Sequence, residues 1–328
     1  MSHVPQDLRA LGLLALLAGG LSAAHADFTP ALTVRHVNTY GKLEGGPLPR
    51  PETVTYDPQR KELYVTLPSD GQVSILSAKL VPLYRFQHSV RDALGNVVRG
   101  EPDGALAGKR GMIFIVDRLW DHLDVADFRG RSLRTINVSE LLGGRAGLGR
   151  MDRDDAGNLY VVEDLTQTVL VLSPEGKLLR KIGSEGPKPD GAANLRDVAV
   201  GPDGSVYLVD ATAEPCVRVF DAYGKYLTSF GSHSDKPEGL HMPTGVAVDA
   251  ADRVWVTDCV AHEVKSFGRD GAVLAVVGGV GTADGRFYFP VDVACGEDGE
   301  VFVVERAGNR LQAFHAEAAP GSAPEGAP

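Results

Sequence analysis

Between Met242 and Asp258 the chain reads MPTGVAVDAADRVWVTD. A proline opens an apolar run (Val246 to Val248), a short polar turn follows, and a second apolar run (Val254 to Val256) leads to an acid. The same order of apolar and polar positions recurs five more times. The aromatic of the second run sets the register: Tyr64, Phe114, Tyr160, Tyr207, Trp255 and Phe302, at successive spacings of 50, 46, 47, 48 and 47 residues. The runs, such as VAV, VWV, VYLV and VFVV, alternate, are rich in β-branched and aromatic residues, and are bounded by Gly, Asp and Pro. That is strand patterning. No unit holds an apolar period of 3.6 of useful length.

A repeat of roughly 45 residues marks a propeller, a solenoid or an array. All-β units of that length predict four-stranded blades, because each unit can bury its faces only against its neighbours. The fold class is therefore all-β, a six-bladed β-propeller. With strands labelled A (innermost) to D, strand A opens at or near Pro51, Pro102, Leu148, Leu195, Pro243 and Pro290. Strand B ends at Leu67, Asp117, Glu163, Asp210, Asp258 and Glu305. The sixth unit stops after strand C, while the stretch LTVRHVNTY (32–40) ends like the D strands KLLRKIG and KYLTSFG. It is expected to supply the missing outer strand and so close the ring against an exposed edge.

The ends read differently. Arg9 precedes an apolar run from Ala10 to Leu21, and Ala24-His25-Ala26 fits a small-x-small cleavage site. Residues 1–26 are expected to be a signal peptide, which makes the protein periplasmic or extracellular. Residues 27–315 are the propeller. The remaining 316–328, made of Ala, Pro, Gly, Ser and Glu, are expected to be a disordered tail.

Net charge is −10, from 33 basic and 43 acidic residues. Losing Arg9 and Asp7 with the leader leaves 32 and 42, still −10. Such a domain lacks the basic footprint of phosphate-backbone binding, so no nucleic-acid partner is expected. The three cysteines, Cys216, Cys259 and Cys295, form no CxxC or CxxCH. Cys295 reads as a buried small residue. Cys216 and Cys259, in B–C loops of adjacent blades, are open to pairing after export. No phosphate-binding Gly loop, no G-x-S-x-G and no Ser-His-Asp order is present.

Three stretches resemble the NHL repeat: GSHSDKPEGLHMPTGVAVD (231–249), GGVGTADGRFYFPVDVACGEDG (278–299) and GNRLQAF (308–314). The likeness covers residues 50–315, strongest in blades 4 to 6 and weakest in blade 2. It implies a six-bladed propeller and a broad functional range: protein-binding scaffolds, RNA binders among basic members, and a few lyases. Exported bacterial members of this kind accompany multihaem cytochromes or other envelope complexes.

In a propeller the start of strand A and the end of strand B lie on one face, called here the top. The acids that end strand B could form a carboxylate ring. Recurrence in nearly every blade instead points to a structural job, capping the B–C turn. Residues that open strand A differ between blades and are free of that demand: Glu52, Asp103, Arg150, Arg196, Asp197, Thr244 and Asp292. Arg150 and Arg196 are expected to stand side by side as cationic forks facing carboxylates, a mouth suited to a carboxylate-bearing or zwitterionic ligand. Blade 2 carries a longer B–C loop, DRLWDHLD (117–124), which puts Trp120 and His122 on the same face as a binding hot spot.

His88, His122, His233, His241 and His262 fall in loops of the top face, and lyase members of the resembling family use channel-mouth histidines on zinc. His122 and His262 come from opposite sides of the ring, so the convergence zinc needs is not expected. The calcium site of lactonase-like propellers would need Glu, Asn and Asp; Glu52 fits its start, but Asn194 is the nearby asparagine. No metal and no cofactor is therefore expected. The sequence favours a protein- or peptide-binding scaffold or accessory subunit with its partner on the top face. The alternative is a metal-dependent lyase or lactonase-like hydrolase at the channel mouth.

Overall fold

A computed structural model describes residues 28–41, 48–92, 94–183 and 193–320. The expected leader at 1–26 and the last residues of the expected tail, 321–328, lie outside them. The described chain forms six four-stranded antiparallel sheets and one two-stranded sheet. Blade 1 comprises Val54–Asp57, Glu62–Leu67, Gln72–Ser77 and Pro82–Gln87. Blade 2 follows as Pro102–Ala107, Ile113–Asp117, His122–Ala126 and Ser132–Asn137, and blade 3 as Leu148–Arg153, Leu159–Glu163, Thr168–Leu172 and Leu178–Ile182. Blade 4 is Leu195–Val200, Val206–Asp210, Val217–Phe220 and Tyr226–Phe230; blade 5 is Pro243–Val248, Val254–Asp258, Glu263–Phe267 and Val273–Gly278. Between blade 1 and strand A of blade 2 the chain inserts a hairpin, Ser89–Arg91 paired with Val97–Arg99.

Blade 6 shows how the ring closes. Pro290–Cys295, Glu300–Glu305 and Arg310–Ala318 supply its first three strands, and the N-terminal Leu32–Gly41 pairs antiparallel with the third. A bulge between His36 and Asn38 leaves Val37 turned outward. Strand C runs to Ala318, three residues past the boundary drawn from composition at 315. Ala316 is buried, and Leu32 to Val34 pair with Ala316 to Ala318. Poor side-chain content did not stop those residues from being ordered, because a partner strand was available for their backbone.

The core is not one mass but six interfaces. Each anchoring aromatic packs into the cluster shared with the following blade. Tyr64 meets Ala105 and Ile115 of blade 2, Tyr207 meets Val246 and Val256 of blade 5, and Trp255 meets Val293 and Val301 of blade 6. Phe302 completes the circle, stacked on Tyr56 of blade 1 at 5.9 Å between ring centres. All six aromatics are buried. Full burial of such a side chain stabilises by about 2–3 kcal/mol. The near-constant spacing in the sequence is thus the spacing of the blade interfaces.

Among the described residues helix is confined to short turns, the longest being Val138–Leu142. No helix among the described residues is long and apolar enough to cross a membrane. Cys216, Cys259 and Cys295 are all free thiols, so the pairing left open for the first two does not occur in this structure.

Candidate functional site

The acids that end strand B are at most 1 % exposed and do not face a ligand. Four of the five tie their own B–C turn to the chain entering strand A; Glu305 accepts the Tyr288 N–H (2.7 Å) on that side but the side chains of Arg310 (2.6 Å) and Gln312 (2.7 Å) on the other. Asp117 accepts the N–H of Leu119 (2.9 Å) and of Glu101 (2.6 Å). Glu163 accepts those of Thr166 (2.8 Å) and Gly147 (3.0 Å). Asp210 accepts Thr212 (2.9 Å) and Asn194 (3.0 Å); Asp258 accepts Ala261 (3.2 Å) and His241 (2.6 Å). Burial would raise the Glu163 carboxyl, but these donors and the Thr166 hydroxyl hold it below its ordinary value. Recurrence in the sequence has a structural cause: one carboxylate satisfies two otherwise orphaned segments of backbone.

A second tie links neighbouring blades. The last residue of three B–C turns adopts a left-handed conformation, and its side chain accepts an N–H from the next blade. Gln167 accepts from Leu195 (2.5 Å), His262 from Phe289 (3.0 Å) and Asn309 from Arg50 (2.8 Å). Phe289 and Arg50 are themselves left-handed (φ 57° and 46°) and precede prolines, a combination that sterics disfavour. The cross-blade bond offsets that cost. His262 accepts through Nδ1, which requires the neutral ring. Burial pulls its pKa below the ordinary value and favours that form.

In the channel, Arg150 of blade 3 reaches across the ring. Its Nη1 donates to the carbonyls of Thr244 (2.7 Å) and Val291 (3.0 Å) and to Asp292 Oδ1 (3.1 Å). Asp197 Oδ2 also lies 3.6 Å from Nη1, while Nη2 donates to the Glu52 carbonyl (3.2 Å) and stands 3.7 Å from Glu52 Oε1. Blades 1, 3, 4, 5 and 6 therefore meet on one guanidinium. Burial works against its charge, yet Asp292, Asp197 and Glu52 keep it more firmly protonated than usual. Asp197 and Asp292 also accept the N–H groups of Val246 (2.9 Å) and Val54 (2.8 Å) in the next blades. Burial, then the neighbouring Asp292, pushes Asp197 well above the ordinary carboxyl range, and burial raises Asp292 too, with Arg150 opposing both. Gly245 makes room: a Cβ there would stand 2.5 Å from Asp292 Oδ1.

Above this plug opens a basin of about 820 Å3. Its charged lining is Arg50, Arg118, Arg145, Arg150, Arg196 and Arg306 against Glu52, Asp103, Asp121 and Asp164, six cations to four acids. Arg306 clasps Glu52 through Nε (2.9 Å) and Nη2, and Arg118 pairs with Asp103 (2.5 Å). Trp120 and Leu119 line the wall beside them.

The nine sequence-predicted residues separate accordingly. Glu52, Asp103, Trp120, Arg150 and Arg196 border the basin. Asp197 and Asp292 lie below it, in the channel, against Arg150. His122 opens strand C of blade 2 and packs against Trp120 (5.9 Å between rings, tilted), outside the lining. His241 is also outside, bonded to Asp235 at 2.9 Å. The expected pair of parallel forks is not formed, since Arg150 turns down into the channel and its donors are consumed there. Arg196 stays in the basin wall.

Arg50, Arg145, Arg306 and Asp164 were not foreseen as site residues. Three lining residues share one sequence position: Arg118, Asp164 and Arg306 each follow the strand B acid directly. Alternation turns the acid toward its own turn and the next residue toward the mouth. That position, which varies between blades, was a readable signal.

His88 is not in an open loop. It is buried, with Nε2 3.2 Å from Asp117 Oδ2 and Nδ1 4.0 Å from Asp124 Oδ2. Among the described residues no group of three or more His, Cys, Asp or Glu is placed to hold a metal ion. Glu52, the first acid a calcium site would need, is engaged on both oxygens by Arg306. The residues present fit neither a zinc nor a calcium centre.

Comparison with known proteins bears on the fold. The family model described as NHL repeat matches residues 240–267, which span strands A to C of blade 5. No curated protein sequence matches the chain. Among solved structures, a streptogramin B lyase is similar at 12% identity and TM-score 0.59, over 87% of this chain and 98% of that one. A gluconolactonase from Xanthomonas campestris is similar at 14% and 0.61, over 89% and 97%. A luciferin-regenerating enzyme is similar at 12% and 0.59, over 88% and 96%. Identities this low speak to the fold alone. The chain is a six-bladed β-propeller of four-stranded blades, with an NHL repeat in its fifth blade.

Proposed function

We propose that this protein is an exported binding propeller, a scaffold or accessory subunit that engages a protein or peptide partner through its top face. One observation carries the reading. Among the described residues nineteen large apolar side chains are exposed. Ten of them sit on top-face connections: Leu94, Val97, Leu119, Leu141, Leu165, Met242, Val260, Val280, Tyr288 and Phe289. Three, Val81, Phe128 and Tyr223, sit on bottom turns, and the other six lie on outer strands. A rigid ring that gathers apolar loops around a polar basin on one face has the anatomy of an interface, with apolar contacts around a few orienting charges.

The leader-like pattern at 1–26 supports export, to the periplasm or beyond the cell. The acidic composition supports a partner other than nucleic acid.

The test is photo-crosslinking in the native envelope fraction, with the crosslinker placed in turn at Leu119, Val260 and Tyr223. Discrete products from the first two sites and none from Tyr223 are expected. Products from Tyr223 alone would move the interface to the bottom face. Stoichiometric zinc or calcium in the purified protein would replace this reading with the metal-dependent lyase or hydrolase.

A further inference from the structure

The top basin has more donors than its own acceptors satisfy. Arg196 opens strand A of blade 4, half-buried in the basin wall, and its guanidinium has no hydrogen-bond or ion-pair partner among the described residues. The acids that could serve it are committed elsewhere. Glu52 is held by Arg306, Asp103 by Arg118, and Asp197 and Asp292 face Arg150. Asp164 stands in the same wall and makes no ion pair with Arg196. Burial, then the like charge of Arg150, lowers the Arg196 pKa, so its charge is held at a cost. Glu52, Asp103 and Asp164 attract it only from beyond ion-pair distance, and a half-buried cation with no directly paired counter-charge is costly unless something supplies one. Trp120 gives a second, independent sign of the same deficit. Its indole Nε1–H is buried and has no acceptor among the described residues, and the side chain as a whole lines the basin. Arg145 lies on the rim, equally without a partner.

We infer that the basin is a carboxylate-binding site, with Arg196 as the anchoring fork, Arg145 as a further donor and the Trp120 side chain in its wall. The inference rests on the top-face reading and names its chemistry. A planar guanidinium matches a carboxylate through two parallel N–H···O bonds. A phosphate would be served less well. Backbone N–H groups at the mouth, those of Glu101, Gly147, Asn194 and His241, already donate to the strand B acids, so these four are not free to form a nest for it. Four carboxylates in the lining would also oppose the two charges that phosphate concentrates on one centre, whereas the surplus of two cations suits singly charged carboxylate groups, one or two of them held apart. The carboxylate could belong to a free small acid or to the C-terminus or acidic side chain of a partner; the chemistry is shared, and the volume of the basin falls in the range that encloses either.

The chain supplies its own reporter. It has two tryptophans, and Trp255 is fully buried in the core with its N–H on Asp249 (2.9 Å). A ligand-dependent change in emission therefore reports on Trp120. The probes are glutarate, an acetylated tripeptide with a free C-terminus, the same peptide as its amide, and inorganic phosphate, at ionic strength matched with KCl. Calorimetry on the same probes covers a ligand that leaves emission unchanged. Saturable binding of glutarate or the free-acid peptide is expected, with the amide and phosphate at least tenfold weaker. Arg196→Ala should weaken the acids at least tenfold with an unchanged Tm, Arg196→Lys should restore part of that loss, and Trp120→Phe should abolish the emission change. Tighter binding of glutarate would point to a free acid, tighter binding of the peptide to a partner's chain.

Equal binding of acid and amide, equal binding of phosphate, no saturable binding by either method, or indifference to Arg196→Ala would each overturn the carboxylate site. The two readings fail separately. Top-face crosslinks that persist undiminished in Arg196→Ala would leave the partner reading standing without the carboxylate. Glutarate binding in a protein that forms no top-face crosslinks would do the reverse.

Discussion

The two mouths of the channel carry opposite surpluses of charge. The upper basin holds six arginines against four acids. The lower cavity, about 600 Å3, holds Asp152, Asp154, Asp155, Asp197, Asp203, Asp249, Asp292 and Glu297 against Arg150 and Arg153, eight acids to two cations. Arg150 borders both and separates them. The mouths differ more in how their charges are spent than in sign. At the bottom several acids sit at A–B turns and are consumed by their own turn. Asp154 accepts Asn158 N–H (2.8 Å), Asp203 accepts Ser205 N–H (2.9 Å), and Asp249 accepts Ala251, Arg253 and the Trp255 indole. At the top, Arg196 and Arg145 are spent on nothing among the described residues. Abundance of charge is thus a poor guide to function in a repeat fold; charge left without a partner is the better one.

That contrast can be broken or sharpened by substitution. Arg150→Met should have the largest effect. Removing one partner from a buried ionic cluster costs about 3–5 kcal/mol, because the partners left behind stay buried and charged. The loss should also depend on pH. Folded Asp197 and Asp292 have raised pKa values, so the folded state binds more protons than the unfolded chain above about pH 4, where free carboxyls titrate, and their contribution worsens as pH rises. Arg150 opposes that rise, so its removal should cost more at pH 8 than at pH 4.5. Urea titrations at the two values measure this. A pH-independent loss below about 1 kcal/mol would mean that the channel does not need its plug.

An intermediate effect is expected at the bottom mouth. Asp249→Ala strips the acceptor from the Trp255 N–H inside the core and from two backbone donors of its own turn. One orphaned buried donor costs about 1–3 kcal/mol, and the loosened turn adds to it. Chemical denaturation should therefore show a loss of about 2–3 kcal/mol, with no change in binding at the top face. Lost binding at unchanged stability would show that the lower cavity is itself a site.

Most of the architecture was legible because a propeller writes its core into the period of the sequence. The six aromatics mark the blade interfaces, the strand B acids mark the stitched turns, and the orphan strand at 32–40 marks the closure. The last strand extended beyond the expected 315 because composition reports side chains, whereas Ala316 to Ala318 are ordered by backbone pairing with Leu32 to Val34. The site was legible only in part. Arg150 and Arg196 open neighbouring strands but sit one residue out of step: Leu148 and Leu195 both face the strand B acid, so Asp197, not Arg196, stands where Arg150 does. The difference between them is reach: Arg150 faces the acids of blades 1, 4 and 6 across the ring, and Arg196 finds those acids already engaged. The one-residue offset between them was readable, because side chains alternate along a strand; the partners it leads to, Asp292 for Arg150 for example, lie far apart in sequence and were not.

The smallest effect, and the sharpest, belongs to Arg196→Gln. If the top mouth is spent on function, this change should leave folding within about 0.5 kcal/mol of the parent, as at a position outside the core's networks. Two physical terms act on it. Losing a half-buried guanidinium gives up some packing of its stem. Losing a positive charge near Arg150 relieves repulsion that already lowers the Arg196 pKa. They oppose each other, so the net is near zero and stabilisation is as acceptable as slight loss. The same substitution should weaken carboxylate binding at least tenfold, about 1.4 kcal/mol or more. Denaturant titration and ligand titration on one preparation give both numbers. A binding loss larger than the stability loss keeps Arg196 on the functional side of the comparison. A stability loss above about 1 kcal/mol would show that Arg196 has a structural partner, and the two mouths would then differ in the sign of their charge and in nothing else.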